Sequence, residues 1–244
     1  EDGTRAAGIN TVFARLASKH LSPAEVDSMA RRFGYGQGVP FDVPVEESSL
    51  HVPSEPLEFA RTAAGFWNTT LSPLEAVEIS AVVASGGESV RPEIVDKVVS
   101  PEDAVLWSAP DAPPHHRVVA RETADDLATM MDHTISEGTC RRAFHDPRGR
   151  PFLPGIEVAG KTGTLTGAEN HRYYTWFTGF APVRPVDGVA QVAVAVLVVN
   201  GPAWEVKANV VARDVLRSYF ASRGAPGVTQ PSVPSVARMR ARRR

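Results

Sequence analysis

A single cysteine, Cys140, stands among the 244 residues, so an intrachain disulfide is excluded. No run of about 18 apolar residues occurs, which excludes a transmembrane helix within this sequence. The first residues, Glu1-Asp2-Gly3-Thr4-Arg5, have no apolar core behind them and do not form a signal peptide. The histidines are scattered: His115, His116, His133, His145 and His171 show no metal-ligand spacing, and no metal or other cofactor is implied. Neither sign of charge prevails, because 26 Lys and Arg face 28 Asp and Glu for a net −2. That balance gives no argument for a nucleic-acid partner.

What is present suits a folded enzyme or binding domain. With 43% hydrophobic residues over 244 positions, the chain can bury a sizeable core. No internal stretch is rich enough in linker residues to divide it. Cys140 lies in Glu137-Gly138-Thr139-Cys140-Arg141-Arg142. The arginines could lower its pKa, but packing as a small hydrophobe is the expected role.

The most informative run is Ile156-Glu157-Val158-Ala159-Gly160-Lys161-Thr162-Gly163-Thr164. A strand-like lead-in ends in a lysine, a glycine and two hydroxyls. Lysine is a compact cation with three donors, suited to a carboxylate. Side chains alternate along a strand, so Lys161 and Gly163 share one face. Glycine in a strand commonly marks close approach by a ligand or another backbone. Threonine hydroxyls and free backbone N–H groups can donate to an anion. A bare K-T-G triplet would read as a surface turn holding a lysine; the surroundings change that. Tyr173 to Pro182 is rich in aromatic strand formers. Val189 to Val199 is almost wholly apolar and reads as a central strand covered on both faces. Together they predict an antiparallel meander with the lysine strand at an edge.

G-K-T-G-T followed by W-F-T-G-F-A-P and an apolar strand resembles the transpeptidase domain of penicillin-binding proteins. Phe33-Gly34-Tyr35-Gly36 is similar to that family's glycine-rich loop. Leu71-Ser72-Pro73-Leu74-Glu75, Ala84-Ser85-Gly86-Gly87 and Arg91-Pro92 resemble the stretch ahead of its middle strand. The likeness covers about residues 5 to 222. It implies an α/β fold of the α+β type: an antiparallel sheet flanked by helices, β-lactamase/transpeptidase-like, incomplete at the N-terminus. It also implies a partial transpeptidase domain over residues 1–223.

The family works with three motifs: S-x-x-K, S-x-N and K-T-G. No serine here has a lysine three positions on, and Ser18 is followed directly by Lys19. The nucleophile, and any membrane anchor, are therefore expected upstream of Glu1. Gly8-Ile9-Asn10 matches S-x-N with Gly8 in place of the serine, so no hydroxyl is available there to relay a proton. Asn10 is either an N-cap of the helix that follows or the family's substrate-binding amide; different atoms can do both. The resemblance implies that Lys161, Thr162, Gly163 and Asn10 form the catalytic set. Lys161 would supply the electropositive wall, Thr162 and Thr164 would bind the substrate's terminal carboxylate, and the Thr164 N–H would be an oxyanion donor.

The implied reaction is acyl transfer from D-Ala-D-Ala through a serine acyl-enzyme, cross-linking peptidoglycan stem peptides. β-Lactam antibiotics would acylate the same serine, and cell-wall synthesis proteins would be further partners. The implied location is the bacterial cell envelope, on the extracytoplasmic side of the inner membrane. Two other readings share these motifs. One is a non-catalytic scaffold that binds peptidoglycan or partner proteins, motivated by Gly8. The other is a β-lactamase or D,D-carboxypeptidase, which also carries K-T-G.

Periodicity and cap signals predict helices over Thr11–Ser18 and Pro23–Phe33, the second capped by Ser22. A third begins at Ser72-Pro73 and stops at Gly86-Gly87. Residues 36–58 are expected to be an irregular loop, Ile94–Val99 a short strand and 111–114 a loop. Arg121–Glu137 reads as amphipathic, with Leu127, Met130, Met131 and Ile135 on one side. Val206–Phe220 closes the fold, with Val210, Val211, Val215, Leu216 and Phe220 buried across the sheet. From Gly224 to Arg244 the composition predicts a disordered basic tail, solvated or in weak contact with anionic lipid or cell-wall polymer.

Overall fold

Three apolar segments of the C-terminal half pair into one sheet, and the rest of the chain is arranged around it. In the computed structural model, residues 10–65, 67–110, 115–167, 172–201 and 205–231 are described. The strands β5 (Ala159–Thr166), β6 (Tyr173–Ala181) and β7 (Val192–Asn200) form an antiparallel meander in the order β5-β6-β7. The lysine strand lies at an edge among the described residues. The expected central strand differs: β6, not β7, lies in the middle. β7 is nevertheless covered on both faces, by α4 (Pro73–Ala84) and by α7 (Ala208–Ser222).

The main core lies between the sheet and α7. Phe177, Leu216 and Phe220 are fully buried there with Phe144 and Ala212. Phe144, on the short helix α6 (Arg141–Phe144), stacks on Phe177 with centroids 5.6 Å apart. Two of the residues assigned to apolar faces lie outside the core. Val215 on α7 is exposed, and so is Met130 on α5 (Arg121–Ser136). Each sits at the rim of its apolar stripe, where a straight helix turns the side chain toward solvent.

Helix starts follow their cap signals. Before α2 (Pro23–Arg32), Ser22 and Glu25 form a reciprocal capping box. Before α4, the Ser72 hydroxyl accepts from the Glu75 N–H at 3.1 Å. α1 spans Asn10–His20 and packs on α3 (Pro56–Ala63). α3 corrects the expectation of an irregular stretch through residue 58: Pro56 is its first residue, and the Glu55 carboxylate caps it by accepting from Glu58 N–H at 2.8 Å. Its neighbours β1 (Ser49–Leu50) and β2 (Thr69–Thr70) pair antiparallel. The strand expected at Ile94–Val99 is the shorter β3 (Lys97–Val99), paired with β4 (Val105–Ser108).

The C-terminal boundary also shifts. Ala225 and Val228 are buried in the main core, and the Gln230 side chain donates to the Ser218 carbonyl at 3.4 Å. Residues 224–231 thus cover the end of α7 rather than beginning a disordered tail. The arginine-rich part of that tail lies outside the described residues, as does the expected loop at 111–114.

α4 carries an unusual charge arrangement for a helix packed on a sheet. Glu75 is buried, and its Oε1 has no hydrogen-bond partner among the described residues. Burial pushes its carboxyl up. Glu78, one turn on, is pushed up to about 7 by burial and by the charge of Glu75. A carboxyl whose folded pKa is raised binds more protons folded than unfolded between the two values. Stability from Glu78 is therefore complete below about 4.5, falls as pH rises, and is lost above about 7. Replacing Glu78 with Gln is expected to flatten the pH dependence of the unfolding midpoint across that window and to raise the midpoint at pH 8, read by thermal denaturation.

Candidate active site

Lys161, Thr162, Gly163 and Thr164 occupy the middle of β5, which hydrogen-bonds to β6 on one side only among the described residues. Register fixes their faces. Lys161 pairs with Thr178 and Gly163 with Trp176, while Thr162 pairs with Phe177 and Thr164 with Thr175. The Thr178 hydroxyl donates to the Ala76 carbonyl of α4, and the Ser80 hydroxyl stands beside it. Lys161 and Gly163 therefore share the α4 face. On the other face, Thr175 Oγ1 accepts from the Ala208 N–H at the start of α7 at 3.1 Å, and Phe177 enters the core. Thr162 and Thr164 lie on that side, at the open edge.

The lysine folds back along its strand. Lys161 Nζ donates to the Thr162 carbonyl at 2.7 Å. Desolvation holds its ammonium below the ordinary lysine value, and the nearby Cys140 acts weakly in the opposite sense. Cys140 is fully buried, and burial pushes its thiol up to about 11. It packs as a small hydrophobe, and its neutral thiol is not a nucleophile. Beside it, Thr139 Oγ1 lies 2.9 Å from Thr162 Oγ1.

The glycines of this strand divide into two kinds. At Gly160 an added Cβ would lie 2.4 Å from Phe177 Cζ, and at Gly179, its cross-strand partner, 2.2 Å from the Ala159 carbonyl oxygen. These two are demanded by the packing of β5 on β6. At Gly163 a Cβ would meet only Trp176 Cβ, at an ordinary 3.5 Å. Nothing in the described chain requires glycine there. A backbone stripped of its side chain at an open strand edge suits the close approach of an extended ligand.

Residues 8–217 match the family described as the penicillin binding protein transpeptidase domain. The chain belongs to that family. It is 30% identical over 196 residues to the peptidoglycan D,D-transpeptidase PbpA of Mycobacterium tuberculosis, covering 79% of this chain and 37% of that protein. It is 28% identical over 195 residues to the stage V sporulation protein D of Bacillus subtilis, covering 76% of this chain and 28% of that one. The chain thus spans between about a fifth and two fifths of the length of the curated relatives it matches. In fold it is similar to the D,D-transpeptidase domain of a peptidoglycan glycosyltransferase from Eggerthella lenta, with a TM-score of 0.72, 24% identity, and 90% and 52% of the two chains covered. It is also similar to penicillin-binding protein A of M. tuberculosis in its imipenem acyl-enzyme complex, with a TM-score of 0.66, 25% identity, and 87% and 46% covered. The mixed α/β fold with an antiparallel sheet flanked by helices, expected from the sequence, is the transpeptidase fold.

Two other expected positions stand differently. Asn10 is the first residue of α1 and is exposed. Gly8 lies outside the described residues. Among the described residues no group of three His, Cys, Asp or Glu side chains is placed to hold a metal ion, and no helix is long and apolar enough to cross a membrane. Sequence reasoning missed Thr139, Thr178 and Ser80. Thr139 and Ser80 reach β5 and β6 from distant positions, and although Thr178 lies in the W-F-T-G-F-A-P run, no local pattern shows its contact with α4.

Gly163→Ala is expected to leave the unfolding free energy within about 0.5 kcal/mol of the parent, while slowing β-lactam acylation of the complete protein on the order of 100-fold. Gly160→Ala is expected to lose about 1–3 kcal/mol of stability by overpacking against Phe177. Chemical denaturation and acylation kinetics, measured side by side, separate the two.

Proposed function

We propose that this chain is the K-T-G-bearing part of a peptidoglycan D,D-transpeptidase that cross-links stem peptides in the bacterial cell envelope, on the extracytoplasmic side of the inner membrane. The observation that carries the proposal is Lys161-Thr162-Gly163-Thr164 on an open strand edge, with a glycine that the chain's own packing does not need. An extended peptide laid along β5 would present its terminal carboxylate to the hydroxyls of Thr162 and Thr164. The Thr164 N–H would donate to the carbonyl oxygen as it becomes an oxyanion. Lys161, with its ammonium partly desolvated, would stabilise negative charge more strongly than a fully hydrated lysine. Asn10 would hold the substrate amide from α1.

The acylated serine is supplied by an S-x-x-K that these 244 residues do not contain. The serine hydroxyl attacks the carbonyl of the penultimate D-Ala, its proton passes to a base, and D-alanine leaves with a proton on its nitrogen. The acceptor amine of a second stem peptide then attacks the acyl-enzyme and releases the serine. β-Lactams enter the same path and stop at the acyl-enzyme, the state named for the relative of known structure. Stem peptides and β-lactams are thus the proposed ligands, with cell-wall synthesis proteins as partners of the whole protein. An apolar face of α1 supports the reading as part of a larger fold: Val12, Phe13 and Leu16 stand 47–51% exposed, a patch that folded domains cover.

Gly8 favours a second reading, a transpeptidase-like scaffold that binds peptidoglycan or partners without turnover, because a glycine relays no proton. Labelling with a fluorescent penicillin decides between them. The complete protein is expected to form a covalent adduct that survives denaturing electrophoresis, and the isolated 244-residue chain is expected to form none. An adduct on the isolated chain would sink the assignment of the nucleophile to another segment. No adduct on the complete protein would leave the scaffold.

A further inference from the structure

We infer that Thr139 is a specificity-determining residue that commits the Thr162 hydroxyl to donate to a substrate carboxylate. The inference rests on reading Thr162 as a carboxylate donor.

Thr139 lies 23 positions from Thr162 in sequence, yet their hydroxyl oxygens are 2.9 Å apart. It does not get there by chance mobility. The turn Gly138-Thr139-Cys140 is tied on both sides: Gly138 N–H donates to the His133 carbonyl at 2.9 Å, Cys140 N–H to the Thr134 carbonyl at 3.0 Å, and Arg141 N–H to the Gly138 carbonyl at 3.1 Å. Cys140 anchors the turn in the main core with no exposed surface. Thr139 itself stays exposed at the mouth of the site. Its backbone is therefore fixed while its hydroxyl faces the open edge of β5.

A hydroxyl carries one proton and two lone pairs. In the empty site either threonine can donate across the shared contact. A carboxylate only accepts. Once it takes the Thr162 proton, the contact between the threonines can persist only if Thr139 donates to Thr162. In that bound arrangement, Thr139 as donor holds Thr162 in the rotamer and proton orientation that an anion requires. An ester or amide carbonyl accepts the same proton without a charge, so the same orientation is worth less to it. Chained donors also strengthen one another in a partly desolvated site. Without the Thr139 hydroxyl, Thr162 must lose rotamer freedom on binding and keeps no partner behind it.

The test uses the complete protein that carries this chain. Acylation rates are measured for penicillin G and for its methyl ester, and equilibrium binding for N-acetyl-D-alanine and its amide. Thr139→Val is nearly isosteric and loses only the hydroxyl. It is expected to weaken both carboxylate ligands by roughly three- to tenfold and to leave both neutral analogues within about twofold. Thr139→Ser keeps the hydroxyl and is expected to restore the preference for the carboxylate; its thermal midpoint and that of the valine variant check folding. Equal losses on charged and neutral ligands, or no loss on either, would overturn the proposal. A wild-type protein that resists penicillin G but still prefers N-acetyl-D-alanine to its amide would sink the transpeptidase reading alone. In that case, loss of the preference in Thr139→Val would still support the role of Thr139. A wild-type protein with no such preference would overturn it.

Discussion

The contact on which the site depends is the close pairing of Gly160 with Gly179 under the ring of Phe177. Both positions are closed to a side chain, one by the aromatic ring and the other by the Ala159 carbonyl. With no Cβ on either strand, β5 lies tight on β6 and Phe177 turns inward to stack on Phe144. One residue further along β5 is Lys161. The same aromatic ring thus fills the core between the sheet and α7 and fixes the height and register of the strand that presents the lysine. A shift of one residue would exchange its faces, sending Lys161 toward α7 and Thr162 toward α4.

The α4 face is held differently. Thr178, directly across from Lys161, reaches the Ala76 carbonyl and the Ser80 hydroxyl. A polar clamp opposite the lysine orients the strand pair in a direction that apolar packing alone leaves loose. α4 meets that demand while also burying Glu75 under the glycine-rich loop. A Cβ at Gly34 would lie 2.4 Å from Glu75 Oε1, at a φ of +108° that side chains rarely adopt. The loop after α2 therefore seats directly on a carboxyl that burial pushes toward its neutral form. Glu78 shares the strain as the next carboxyl on the helix. Two carboxyls that burial pushes up on one helix cost stability at neutral pH, and functional regions commonly carry that kind of cost.

Much of this was legible in the sequence for physical reasons. Alternation and aromatic content marked β5 and β6, and the unbroken valine run marked β7. Ser22-Pro23 and Ser72-Pro73 announced two helix starts because a hydroxyl cap and a proline at the first position act locally. Other features were hidden. Pro53 and Pro56 made residues 36–58 look irregular, although Pro56 is where α3 begins and Glu55 is its cap. Val215 and Met130 fit their helical stripes, but a stripe does not reveal where its neighbour ends. Strand order decided that β6 rather than β7 is central, and no run of residues encodes that. K-T-G-T itself was plain. Thr139 was not, because its relation to Thr162 exists only after α5, α6 and β5 have packed.

Lys161 shows how the site is maintained against the preferences of the fold. Its desolvation lowers the lysine pKa, which means the folded chain disfavours the ammonium relative to the unfolded one. The cost is complete below the folded pKa and is relieved as pH rises toward the ordinary lysine value. At neutral pH the protein therefore carries a charge that its folding would rather shed. Nζ donates to the Thr162 carbonyl of its own strand, a neutral acceptor, and no carboxylate pairs with it among the described residues. A substrate carboxylate at Thr162 and Thr164 would supply the missing counter-charge. The term that weighs on the empty fold would favour an anion over a neutral group at this edge.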